Sequence, residues 1–261
     1  MPRSAVRFTA ERHAAIRERL ERDGHVRSRA LADALGVSIE TIRRDLKALE
    51  GRGVLRCEHG GGASVAREAL PSIGLRIGSQ RDAKERIAHL AKPLIEPGTM
   101  VFLSGSSTTL ALAWALRDGP HASFTSNMID IVSVLGTGTQ SDVTLIGGRF
   151  IANARTLNGF ETLELIGRRA FDVAFLSVSA VDPRRGFLGR HDRHVAMART
   201  LRACARRIVV LATAEKFAAH DAYTVLALHE VETVVADKPP PPEVYAALEA
   251  KGVRVIFPAA R

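Results

Sequence analysis

The sequence predicts an α/β domain built on a parallel-rich sheet and preceded by a small winged helix-turn-helix domain. Three observations carry this: a helix, a glycine turn and a serine-headed second helix within residues 28–49; a short stretch beyond them ending in Gly60, Gly61 and Gly62; and helical and strand-like runs alternating from residue 80 onward. Such alternation gives a parallel sheet covered by helices on both faces. A chain of 261 residues accommodates two domains, the first taking roughly a quarter of it. We expect boundaries at 1–65, a linker at 66–80 containing Pro71 and Gly74, and a second domain at 81–261.

The first domain opens with an amphipathic helix at 11–23 whose inward residues are Ile16 and Leu20, closed by Gly24. Residues 28–35 place Leu31, Ala32 and Leu35 on one face, and Gly36 supplies the left-handed residue that stops the helix. Val37 packs the turn. Ala32 is small where two crossing helices come close. Ser38 stands at the N-cap of the next helix, with Thr41 one turn on. That helix buries Ile42, Leu46 and Leu49, leaving Glu40, Thr41, Arg43, Arg44 and Lys47 around its other faces. Residues 53–63 read as a wing. Arginine pairs bidentately with guanine or phosphate, and hydroxyls at a helix N-terminus reach phosphates, so this face suits DNA. Either arginine could read a base, and an Arg-rich three-helix unit can also serve protein association. The candidate contacts are Arg29, Ser38, Glu40, Thr41, Arg43, Arg44, Lys47, Arg56 and His59. Cys57 and His59 lack further ligands at metal spacing, so no metal is expected there.

Composition agrees with a polyanionic partner: the formal net charge is +9 and the pI near 10.3, although the basic residues are spread over both domains. Two cysteines, Cys57 and Cys204, make no disulfide framework and point to a reducing compartment. No secretory leader and no membrane span are expected, because the first residues are charged and no apolar run is long enough. A cytoplasmic protein follows.

In the second domain, helices are expected at 82–94, 108–116, 128–135, 196–206 and 243–251, and strands at 100–103, 143–146, 173–178, 208–212, 224–228, 233–236 and 253–257. Ligands of such sheets sit at the carboxyl ends of strands. After the strand at 100–103 come Ser104, Gly105, Ser106, Ser107, Thr108 and Thr109 and then an apolar helix. A glycine followed by hydroxyl residues at a strand-to-helix turn offers amides, a helix dipole and hydroxyl donors to an anion such as phosphate. A well-capped helix with incidental serines reads the same way. Thr125, Ser126 and Asn127 after one strand, Gly147 and Gly148 after another, and Lys216 beyond a third point to the same edge.

The run Ser38, Thr41, Ile42, Arg43, Arg44, Asp45 and Leu46, followed by the glycine-rich wing with His59, resembles the DeoR family of sugar-responsive bacterial regulators. The likeness extends through the second domain, which in that family is related in fold to ribose-5-phosphate isomerase and the CoA transferases. It implies that Ser38, Thr41, Arg43 and Arg44 enter the major groove. It also implies an effector site at Gly105, Ser106, Ser107, Thr108, Asn127, Gly147, Gly148 and Lys216, and Ser104 and Thr109 of the same loop and Asp182 at a further strand end are candidate effector contacts beside them. The expected protein is a repressor and not an enzyme, a homo-oligomer that binds double-stranded operator DNA and a phosphorylated sugar or related metabolite, without cofactor. The chain departs from the family where Ser104 and Thr213 replace acidic residues and where the helix near Ala196 lacks a lysine. His191, Asp192, Arg193 and His194 could substitute, or form a solvated loop. The competing expectation is a phosphosugar isomerase or transferase carrying a DNA-binding domain, with Asp182 as its carboxylate.

Overall fold

The computed structural model describes residues 9–23, 25–52, 54–58, 60–64, 72–138 and 141–259, and the chain divides into two compact units, Met1–Leu70 and Pro71–Arg261. Gly24, Gly53, His59 and the 66–71 part of the expected linker lie outside the described residues.

The first unit runs α1 (Thr9–Asp23), β1 (His25–Arg27), α2 (Ser28–Leu35), α3 (Ile39–Gly51), β2 (Leu55–Glu58) and β3 (Gly61–Ser64). Its core is the expected one, Ile16 and Leu20 meeting Leu31, Ala32, Leu35, Ile42, Leu46 and Leu49, with Val26 and Leu55 added from the strands. Gly36 takes φ 67° and ψ 32°, and its amide donates to the Ala32 carbonyl, closing α2. The wing pairs antiparallel, and β3 lies between β2 and a strand that periodicity does not reveal, β1. Three residues are too few to show alternation. The glycine run has a steric reason: a Cβ on Gly61 would stand 1.9 Å from the Val26 carbonyl oxygen.

The second unit runs α4 (Ile73–Gly78), α5 (Arg81–Ala91), β4 (Met100–Leu103), α6 (Ser107–Ala115), β5 (Ser123–Ser126), α7 (Ile129–Gly136), β6 (Val143–Leu145), β7 (Arg149–Ile151), β8 (Thr156–Asn158), α8 (Phe160–Gly167), β9 (Phe171–Ser177), β10 (Ala180–Asp182), β11 (Gly186–Gly189), α9 (Asp192–Cys204), β12 (Ala205–Ala212), β13 (Tyr223–Leu226), β14 (Thr233–Ala236), α10 (Pro242–Glu249) and β15 (Arg254–Ile256). Seven strands form one sheet in the order β15-β14-β12-β9-β4-β5-β6, and every neighbouring pair is parallel. Both faces are covered. Phe102, Leu176, Val210 and Val234 pack on α8, α9 and α10, whereas Val101, Leu103, Phe175 and Leu211 pack on α5, α6 and α7.

Several expectations need correction. The expected linker 66–80 contains α4, whose Ile73 is buried in the second unit's core and whose Ile73 amide donates to the Asn153 carbonyl at 2.9 Å. Thr125 and Ser126 do not follow a strand; they end β5 and are themselves buried. The helix expected at 196–206 starts at Asp192 and stops at Cys204, because Ala205 already pairs with Phe171 as β12 begins. The hairpins β7-β8 and β10-β11, and α8, are unforeseen. The strands of these hairpins, three or four residues each, show too little alternation to be read.

Candidate nucleic-acid interface and effector site

Helix α3 begins where sequence chemistry places it. Ser38 is extended, its Oγ accepts from the Thr41 amide at 3.1 Å, and the two hydroxyls lie 2.8 Å apart. Arg43 and Arg44 point into solvent, their side chains 69% and 81% exposed, and Glu40 lies between them at 3.7 and 3.8 Å. Exposed pairs of this kind contribute about 0–1 kcal/mol, so both guanidiniums can exchange Glu40 for phosphate or a base. Lys47 and Arg29 are exposed as well, and Arg56 on β2 is 3.6 Å from Glu58. The expected contacts thus project from α3, the start of α2 and the wing.

What orients α3 is a residue to which sequence reasoning assigned no role. Asp45, 4% exposed, accepts from Arg12 Nε at 2.7 Å and Arg12 Nη2 at 3.0 Å, and its Oδ1 lies 3.1 Å from His13 Nε2. All three side chains are buried between α1 and α3. Removing one partner of such a cluster strands the others' charge in the core. An available signal was the position itself: Asp45 falls on the inward stripe of Ile42, Leu46 and Leu49, where a carboxylate requires a partner.

In the second unit the strand order reverses at β4. The chain goes from β4 to β5 and β6 on one side, then returns to place β9 on the other. A crevice opens at the carboxyl ends of strands flanking such a switch point. The loop after β4 lies there, and the Ser104 amide donates to the Phe175 carbonyl of β9 at 3.0 Å. Ser106 and Thr109 form a reciprocal capping box at the start of α6, each amide donating to the other's hydroxyl at 3.1 Å, and Thr109 Oγ1 also donates to the Ser104 carbonyl. The amides of Ser107 and Thr108, in the first turn of α6, have no intrahelical acceptor. Thr108 and Thr109 are buried, and Ser104, Gly105, Ser106 and Ser107 are half-buried.

Asn127 builds this loop. Its Oδ1 accepts from the Gly105 amide at 2.8 Å and its Nδ2 donates to the Leu157 carbonyl at 3.0 Å, while the residue is 3% exposed. Gly105 has no room for a side chain: a Cβ would lie 2.4 Å from Thr156 Cγ2 and 3.0 Å from Met128 Cβ. Gly147 and Gly148 follow β6. Thr162 Oγ1 donates to the Gly147 carbonyl at 2.8 Å, and a Cβ on Gly148, at φ 140°, would stand 1.9 Å from that hydroxyl. Lys216 sits in the 3-10 turn Ala214–Phe217 after β12, 3.3 Å from Glu215.

Asp182 is placed differently from the rest. Its Oδ1 accepts from the amides of Arg184 and Arg185, both at 2.8 Å, closing the β10-β11 hairpin. The amides of Arg185 and Arg184 hold its carboxyl below the usual carboxylate range. Thr213 is buried with its hydroxyl 3.4 Å from Glu215. Burial first, then the charges of Arg193 and His191 against that of Asp221, with Arg190 adding to them, push His194 down to about 4. Among the described residues no three His, Cys, Asp or Glu side chains group as a metal site, and no helix is long and apolar enough to cross a membrane.

Comparison with known proteins matches a family to each of the two units. Residues 12–68 match the family described as the DeoR-like helix-turn-helix domain, and residues 79–238 match the DeoR C terminal sensor domain. The chain is 26% identical over 238 residues to the glycerol-3-phosphate regulon repressor of Escherichia coli K12, covering 91% of this chain and 94% of that one. It is 27% identical over 232 residues to the transcriptional repressor AccR of Agrobacterium fabrum, covering 88% and 90%, and 25% identical over 250 residues to the repressor GlcR of Bacillus subtilis, covering 95% and 96%. A solved ribose 5-phosphate isomerase A from Methanocaldococcus jannaschii overlays 53% of this chain and 55% of its own, with a TM-score of 0.39 and 16% identity. With a matched helix-turn-helix domain ahead of a matched sensor domain that spans more than half the chain, the protein belongs to the DeoR family of DNA-binding transcriptional regulators.

Proposed function

We propose that the protein is a repressor whose operator binding is controlled by a phosphorylated sugar or related metabolite held by the Gly105–Thr109 loop. The observation that carries the ligand reading is the position of that loop: a pre-capped helix N-terminus, its first amides unbonded within the helix, at the switch point of a fully parallel sheet. The relatives named above are repressors, one of a glycerol-3-phosphate regulon. Arg43 and Arg44 contact the operator, with Ser38, Thr41, Lys47, Arg29 and Arg56 on the backbone and Glu40 between the arginines. Repeated half-sites call for a homo-oligomer, and the reducing compartment is the cytoplasm. Control requires the metabolite to favour one DNA-binding state over another.

The enzyme reading is weaker. Proton transfer between sugar carbons needs a positioned carboxylate of suitable pKa, whereas Ser104 and Thr213 carry none and Asp182 is held ionised by its hairpin amides. The test is binding of the purified full chain to DNA upstream of its own operon, with and without sugar phosphates, across a salt series. Sequence-preferring, salt-dependent binding altered by one of them supports the proposal; indifference to every sugar phosphate refutes it.

A further inference from the structure

Large apolar side chains stand in solvent on three elements at one end of the parallel sheet. They are Leu145 of β6, Phe150 of β7, and Phe160 and Leu165 of α8, with Phe160 76% exposed. β6 is the last strand in the sheet order. Helix α8 is tied to the chain just after it: Thr162 Oγ1 donates to the Gly147 carbonyl, and a Cβ on Gly147 would lie 3.8 Å from Leu165 Cδ1. Exposed apolar side chains scattered singly are ordinary, whereas a group of them rimmed by charge marks an interface. Trp114 of α6, also exposed, shows the contrast, because the Arg117 guanidinium lies over its ring at 5.3 Å.

The rim of charge comes from α8 and says what covers the face. Thr162 and Ile166 are buried, so Phe160, Glu161, Glu164 and Arg168 are turned outward, and all four are exposed. Acids early in a helix and an arginine at its end suit the helix dipole. The same order makes this face its own complement. Two copies of α8 crossing antiparallel about a two-fold axis near Leu165 bring each Glu161 to the other copy's Arg168. Within one copy these two residues lie two turns, about 10 Å, apart, beyond the three or four positions at which helix side chains pair. The pair that Arg168 makes with Glu164 inside the helix is exposed and weak enough to rearrange. We infer that this face is the contact between two copies of the chain, an isologous interface in which α8 packs on α8 and the apolar side chains of β6 and β7 close around it. The inference gives a surface to the homo-oligomer proposed above and does not depend on the operator or effector readings. Gly147 adjoins both this face and the proposed effector edge, so assembly and ligand binding share a wall.

The experiment is sedimentation velocity of the full chain over a concentration series. Phe160→Asp, at a position too exposed to matter for folding, weakens self-association about tenfold or more. Glu161→Arg leaves both rim positions basic and Arg168→Glu leaves both acidic, so each variant alone repels its own kind and associates about tenfold more weakly. An equimolar mixture of the two sets arginine against glutamate at both contacts and recovers the original affinity within about threefold, a rescue that only contact between copies can give. An unchanged melting temperature verifies that each variant is folded. Self-association that ignores Phe160→Asp, or a mixture no tighter than its two components, overturns this interface and leaves the homo-oligomer reading standing on another surface. A chain that stays monomeric at every concentration overturns both.

Discussion

The two candidate binding surfaces are built on opposite plans. On α3 the side chains proposed to meet DNA project away from the fold: Arg43 and Arg44 are mostly exposed and share the weak partner Glu40. At the β4-α6 loop the side chains face inward, with Asn127, Ser106 and Thr109 holding the backbone, and what the proposed site offers a ligand is amides. The reader of DNA is therefore open to change one residue at a time, whereas the metabolite cradle is part of the core that supports it. Substitutions in the first alter specificity, and in the second they alter structure.

The largest expected effect falls on what holds the reader. Asp45→Ala leaves Arg12 buried without its carboxylate and costs about 3–5 kcal/mol in the first unit, read as loss of its melting transition together with operator binding. The comparison fails if Asp45→Ala behaves as mildly as a change of an exposed arginine. In the cradle, Gly105→Val drives a side chain into Thr156 and Met128, and we expect a loss of roughly 1–3 kcal/mol in stability and no metabolite response. Asn127→Leu strands the half-buried Gly105 amide at a similar cost of about 1–3 kcal/mol, measured by urea unfolding.

A pH series sharpens the same contrast. His194 is pushed down to about 4 in the folded chain, so between pH 6.5 and 4 the unfolded state binds the proton first. Stability of the second unit falls as pH drops through that window, by about 3 kcal/mol at its foot, and His194→Gln removes that part of the slope. On the reader's surface the effect on folding is the smallest, and the loss falls on binding. Arg43→Ala or Arg44→Ala weakens operator binding by about 1–3 kcal/mol with altered preference if the residue reads a base, and evenly with a shallower salt slope if it contacts phosphate. Either variant changes folding stability by less than about 0.5 kcal/mol.

The same division explains what was legible in the sequence. Local chemistry was: the Ser38 cap, the Gly36 turn, the inward stripe of α3, the β4 strand and the hydroxyl-rich loop all follow from residues a few positions apart. Pairings across the chain were not. Asp45 meets Arg12 over 33 residues and Asn127 meets Gly105 over 22, and no spacing announces either. Asn127 therefore reads from sequence as a ligand contact, although both of its polar side-chain atoms are committed to backbone partners. The short strands β1, β7, β8, β10 and β11 exist because a partner strand lies beside them, which only the tertiary fold supplies.

The Asn127 clamp also bears on kinetics. Because its amide group anchors the Gly105 turn before any guest arrives, capture involves little ordering of the polypeptide. On the proposed function, arrival is then set by diffusion and charge attraction, and differences in affinity between related metabolites fall mainly on residence time.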